Sequence, residues 1–185
     1  MLLSIAIIST LIIILLTIST VIIIFILLMR DSIINSVPFV PIRKRAINNI
    51  IELLQLSNQS TFYDLGCGDG RVLIAAIKEQ SGINSIGVEN GIIPFLISKI
   101  RTYKSPFKLI FSNFFYVDIS DATHIFCYLS NPILKELAPK ILRECKKGTR
   151  IVTCDFCFPN WKPLEIRPID IPRDPLSRTL YVYRV

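Results

Sequence analysis

The segment Asp64-Leu-Gly-Cys-Gly-Asp-Gly70 restricts the possible folds more than any other part of the chain. It follows a β-type run, Thr61-Phe62-Tyr63, and precedes a helix-like run from Arg71 to Glu79. Glycines at alternate positions 66, 68 and 70 let a backbone turn tightly and approach a ligand with no Cβ in the way. In α/β proteins a strand, a Gly-rich turn and a helix, in that order, bind nucleotide-like cofactors at the carboxyl end of the strand. The spacing is not that of the dinucleotide fingerprint G-x-G-x-x-G: the third glycine comes one residue early, and an acid precedes the first.

The remaining sequence continues the pattern. Short apolar runs at 62–65, 85–88, 107–111, 124–129 and 150–155 read as strands. Helical periodicity appears at 45–56, 71–79, 94–103 and 132–143, and 179–183 alternates like a late strand. Strands alternating with helices predict an α/β, doubly wound, mainly parallel sheet with helices on both faces. Ligands then belong outside the carboxyl ends of the strands. Residues 158–177 contain Pro159, Pro163, Pro168, Pro172 and Pro175. They read as an irregular excursion over the sheet edge or the substrate entrance.

A second element lies ahead of this domain. From Leu2 to Met29 there is no charged residue. About 20 apolar residues cross a bilayer core, so residues 1–29 read as one transmembrane anchor contacting lipid through residues 2–29. A cleaved signal peptide would carry a basic start, a shorter apolar run and a small-residue cleavage site. Residues 30–44 read as a connector containing Pro38-Phe39-Val40-Pro41, and 45–185 as the α/β domain. Arg30, Arg43, Lys44 and Arg45 follow the span and no basic residue precedes it. The positive-inside rule puts the domain on the cytoplasmic side, or its matrix equivalent; the absence of a basic, Ser-rich leader favours a prokaryotic source.

The net charge of +7 falls entirely within 30–185. Anionic head groups near Arg43–Arg45 are its simplest partner. The scatter of basic residues, without a K/R-rich run interleaved with aromatics, argues against nucleic acid. Five cysteines and one histidine do not make a disulfide framework or a four-ligand metal site. Cys154-x-x-Cys157 therefore reads as small residues around a buried strand, and His124 as structural; no metal is expected.

An acid ahead of three alternate glycines resembles the first motif of class I S-adenosylmethionine (SAM) methyltransferases. That resemblance implies a Rossmann-like sheet with SAM as cofactor. Asp64 then faces the methionine portion, and Gly66, Gly68 and Gly70 let the backbone lie beside it. Glu89, ending the second strand about 20 residues after the loop, suits both ribose hydroxyls. Asn113 and Phe114 suit an adenine pocket. On the acceptor side, Tyr128 ends the fourth strand, and Asp155 and Trp161 follow the fifth. Asp155 could hold an amine, and aromatic faces attract alkylammonium groups. Tyr128-Leu129-Ser130-Asn131-Pro132 lacks the second proline and following aromatic of nucleic-acid amino-methylating enzymes.

The set Pro38–Pro41, Asp64–Arg71, Gly87-Val88-Glu89-Asn90 and Asp155-Phe156 with Pro159 and Trp161 resembles a narrower family. Its eukaryotic members are mitochondrial lysine N-methyltransferases acting on the adenine nucleotide translocase and the ATP synthase c-subunit. The resemblance covers about residues 37–163. Asn113 departs from the usual Asp, and Asn90-Gly91 from an Asn-Pro or Asp-Pro pair. It implies a membrane-anchored protein-lysine N-methyltransferase whose partner is a protein with an accessible lysine near the membrane. A lipid or small-amphiphile methyltransferase, and a non-catalytic SAM-binding module, are the alternatives.

Overall fold

The structure, a computed structural model, describes residues 2–34, 40–103, 105–169, 176 and 178–185. It divides into two compact units, Met1–Pro38 and Phe39–Val185. In the first, helix α1 runs Leu2–Ile34. Its stretch Ser4–Ile26 is 23 residues long with a mean hydropathy of 2.9, long and apolar enough to cross a membrane. Its hydroxyls bond back into the helix: Ser9 and Thr10 to Ala6 O, Thr17 to Ile14 O, and Ser19 and Thr20 to Leu16 O. Such intrahelical satisfaction is what a hydrocarbon environment demands of polar groups.

The second unit is a seven-stranded sheet in the order β3-β2-β1-β4-β5-β7-β6. The strands are β1 Thr61–Leu65, β2 Asn84–Glu89, β3 Lys108–Phe111, β4 His124–Cys127, β5 Arg150–Cys154, β6 Glu165–Pro168 and β7 Thr179–Arg184. Strands β1 to β5 pair in parallel, while β7 runs antiparallel to both β5 and β6. Around it lie α2 Lys44–Leu54, α3 Arg71–Glu79, α4 Ile92–Arg101 and α5 Asn131–Glu144. The doubly wound expectation holds, with one correction. The excursion expected at 158–177 contains strand β6. Periodicity did not reveal it, because Leu164 and Ile166 remain exposed at the sheet edge and its pairing comes from β7. Of the prolines there, 172 and 175 lie outside the described residues, as do 35–39 of the connector, with Pro38 and Phe39.

The period-2 alternation of strand side chains sorts the apolar residues into two cores. Phe62, Phe126 and Val152 join Ala46, Ile50 and Leu54 of α2 and Val72, Leu73 and Ala76 of α3. Tyr63, Ile125 and Ile151 join Leu134, Leu137 and Ile141 of α5. Arg150 Nε donates to Leu53 O at 2.5 Å, pinning the end of α2 over β5.

Candidate active site

The site grows from the carboxyl end of β1. Gly66, Gly68 and Gly70 have φ of +79°, +56° and +76°, the left-handed region that side-chain-bearing residues avoid. A Cβ on Gly70 would stand 2.5 Å from Ser98 Oγ. Gly66 N and Cys67 N donate to Val88 O at 2.8 and 3.1 Å, stitching the turn to β2. Gly70 is also the N-cap of α3, so the loop opens onto a helix N-terminus, an end that favours negative charge.

A network that sequence inspection missed holds this turn. Asp69 accepts from Arg71 Nε at 2.8 Å and Nη2 at 2.6 Å, a bidentate pair, and from Arg101 Nη1. Arg71 Nη1 continues to Ile42 O at 2.5 Å. Burial alone would raise the Asp69 carboxyl, but the hydrogen bond and charge of Arg71, with Arg101, hold it below its ordinary value. The alternation of Asp69 and Arg71 in sequence was the available signal; the reach to Arg101 of α4 was not visible.

Asp64 sits differently. It is 2% exposed, and its Oδ2 has no hydrogen-bond partner among the described residues. Burial, then the charges of Glu89 and Asp69, raise its carboxyl well above the ordinary value. A buried acceptor left unsatisfied costs about 1–3 kcal/mol, so this oxygen calls for a donor or a positive charge. Glu89 closes the cradle: Oε2 accepts from Gly68 N at 2.8 Å and Oε1 from Gly91 N at 2.7 Å. Asn113 Oδ1 accepts from Phe115 N at 2.9 Å, capping a short 3-10 turn, Phe114–Tyr116. The Phe114 ring lies 4.8 Å from that of Phe115.

At the ends of β4 and β5 a second group forms. Tyr128 Oη donates to Asp155 Oδ2 at 2.9 Å, and its ring stacks on Phe156 at 6.1 Å. Asp155 Oδ1 accepts from Arg178 N at 2.7 Å and Thr179 N at 3.2 Å. Its φ of +58° is left-handed, a conformation that costs a non-glycine residue free energy and is held here from the β7 side. Burial, then the hydrogen bond to Asp155, push the Tyr128 phenol far above its ordinary value. The structure thus brings Tyr128 and Asp155 together. The Trp161 ring meets Phe158 at 5.0 Å and Tyr183 at 5.5 Å, against the core beneath α5 where Phe156 also packs. Cys154 is buried and Cys157 exposed. His124 Nδ1 lies 2.9 Å from Thr123 Oγ1.

The chain as a whole has counterparts among known proteins. The ANTKMT methyltransferase domain family matches residues 64–165. A protein-lysine N-methyltransferase of Saccharolobus islandicus (strain REY15A) is 33% identical over 156 residues, spanning 82% of this chain and 96% of that protein. The chain belongs to the ANTKMT methyltransferase family. It is a SAM-dependent methyltransferase of the class I fold. The ATP synthase c-subunit lysine N-methyltransferase of Rattus norvegicus is 29% identical over 133 residues, 69% of this chain and 59% of that protein; the chain thus spans little more than half of such relatives. Among solved structures, an RNA methyltransferase from Salinibacter ruber in complex with S-adenosylhomocysteine superposes with a TM-score of 0.69. It is 26% identical and covers 78% of this chain and 93% of its own.

Proposed function

We propose that this ANTKMT-family chain is a membrane-tethered protein-lysine N-methyltransferase whose acceptor is a protein at or near the bilayer. One observation carries the reading: a buried acid with an unsatisfied oxygen, Asp64, ends a strand beside the one leading to the half-buried Tyr128–Asp155 pair. The lysine specificity named for the Saccharolobus and rat relatives supports the acceptor.

The residues present fit the cofactor. Asp64 Oδ2 is the buried acceptor for the cationic methionine portion, beside the backbone of Gly66, Gly68 and Gly70. Glu89 holds the turn through the loop amides of Gly68 and Gly91, and its carboxylate oxygens are acceptors. Those oxygens suit two ribose hydroxyls. Asn113, pinned by Phe115 N, and Phe114 border the adenine. When bound, SAM supplies a methyl group on a sulfonium, open to in-line attack by an amine.

The chain's own task is to deliver a neutral amine. A free lysine has a pKa of about 10.4, so it arrives as ammonium. Asp155 attracts that cation, and Tyr128, kept neutral by its raised pKa, fixes Oδ2 as a donor. An apolar surround favours the neutral amine, and the released proton passes to solvent. Positioning of this kind supplies several kcal/mol of barrier reduction. Trp161 supports the segment that carries Asp155. Helix α1 spans the membrane with the catalytic unit on the cytoplasmic or matrix-equivalent side, following the basic residues after it.

The test uses the full chain in native-lipid membranes with methyl-labelled SAM, beside Glu89→Ala. Label entering a protein fraction, lost in the variant, is expected. Label confined to the lipid extract overturns the reading in favour of an amphiphile acceptor.

A further inference from the structure

Helix α4 presents its polarity the wrong way round for a helix on a water-facing surface. Its buried stripe is Pro94 and Ser98, continued by Thr102 just beyond it. Ser98 and Thr102 are small and polar, and they pack under the loop, where a Cβ on Gly70 would meet them at 2.5 and 3.3 Å. The outward stripe is apolar. Leu96 and Ile100, at i and i+4, are 51% and 78% exposed, and Tyr103, in the turn after the helix, is 85% exposed. Phe111 at the end of edge strand β3 extends it, being 52% exposed and reaching α4 through Phe95, ring to ring at 5.0 Å. A surface helix normally turns its apolar stripe inward. This one spends its inner face on the close approach of a glycine loop, and its oily face is left outside.

Charge identifies the occupant. Residues 90–117 hold Lys99, Arg101, Lys104 and Lys108 and not one Asp or Glu. Lys99, next to Ile100 on α4, and Lys108, at the start of β3, are exposed. An apolar stripe with basic residues on its border is the composition of a helix that lies in a membrane interface, and tyrosine is enriched at that depth. Each Lys or Arg near an anionic leaflet adds to the attraction. The same chain carries a helix apolar enough to cross a bilayer; on the membrane-tethered reading above, on which this inference rests, a lipid surface is its standing neighbour.

We propose that the α4–β3 edge, through Leu96, Ile100, Tyr103 and Phe111 with Lys99 and Lys108, is a second membrane-binding surface that takes anionic lipid. It gives the catalytic unit a fixed attitude to the bilayer, which a single tether cannot do. The inference goes beyond lysine methylation and does not need it: a lipid acceptor would leave it unchanged.

The experiment places an indole on the stripe by Tyr103→Trp in a Trp161→Phe background, using the full chain in vesicles containing brominated lipid. Phosphatidylcholine vesicles are compared with an equimolar mixture of phosphatidylcholine and phosphatidylglycerol. Expected are a blue shift and strong quenching on the anionic vesicles, weak quenching on the neutral ones, and loss of both effects when Leu96→Ser and Ile100→Ser are added. Melting curves and SAM binding confirm that each variant is folded. An indole unquenched on anionic vesicles overturns the proposal, as does equal quenching on both compositions. A blue shift that depends on protein concentration and not on lipid overturns it in favour of a second copy on this face. Flotation of the full chain with neutral vesicles reports separately on the α1 tether.

Discussion

At the residue scale, Asp64 sets cofactor binding against stability. Its carboxyl is raised by burial and by Glu89 and Asp69, so between about pH 4, the unfolded value, and its higher folded value the native state holds a proton that the unfolded chain has lost. Stability from this group is therefore greatest below about pH 4 and falls as pH rises through that window. Asp64→Asn should raise the melting temperature of the cofactor-free chain by several degrees at neutral pH, the equivalent of about 1–3 kcal/mol. The same change should remove SAM binding; calorimetry with and without SAM measures both. Glu89→Ala acts oppositely. It frees the amides of Gly68 and Gly91 and should weaken SAM by about 10- to 100-fold, on the scale of one or two hydrogen bonds to a charged group, as read by isothermal titration. Asp64, Glu89 and the glycines were legible in sequence because loop chemistry is local. The Asp69–Arg101 bond was not, because nothing local links positions 32 apart.

At the element scale, the most readable pieces were those whose ends carry backbone signals. Helix α3 runs Arg71–Glu79 as its periodicity predicts, because Gly70 in the left-handed region sets its start. Gly70→Ala should cost about 1–3 kcal/mol, since it forces φ of +76° on a side chain and drives a Cβ into Ser98 Oγ; urea unfolding would show a lower midpoint at unchanged slope. Strand β6 was unreadable for the opposite reason. Its residues alternate exposed with half-buried, and its partner β7 lies across a proline-rich segment. The acceptor side divides along the same line. Tyr128 and Asp155 stood at strand ends and met, and the ring cluster of Trp161 with Phe158 and Tyr183 was not legible from spacing. Strand order decides which face a side chain serves, and one-dimensional spacing does not contain it.

At the scale of the whole molecule, the two units divide the work. The unit Phe39–Val185 contains every group proposed to touch cofactor or acceptor, and α1 is proposed to supply location. Removal of residues 1–34 should leave SAM affinity unchanged while lowering methylation of membrane-embedded targets by about 10²- to 10⁴-fold, the gain that tethering provides through effective concentration. Soluble peptide acceptors would lose nothing, and comparing the two substrates isolates the tether. The identity of the accepting atom matters most to the proposed function. Heavy-methyl SAM given to membranes with the full chain, followed by peptide mass spectrometry, tests it directly. Heavy methyl groups are expected on the ε-nitrogen of a lysine in a membrane or membrane-proximal protein, and absent with Glu89→Ala. Heavy methyl groups found only in extracted lipid would contradict lysine as the acceptor.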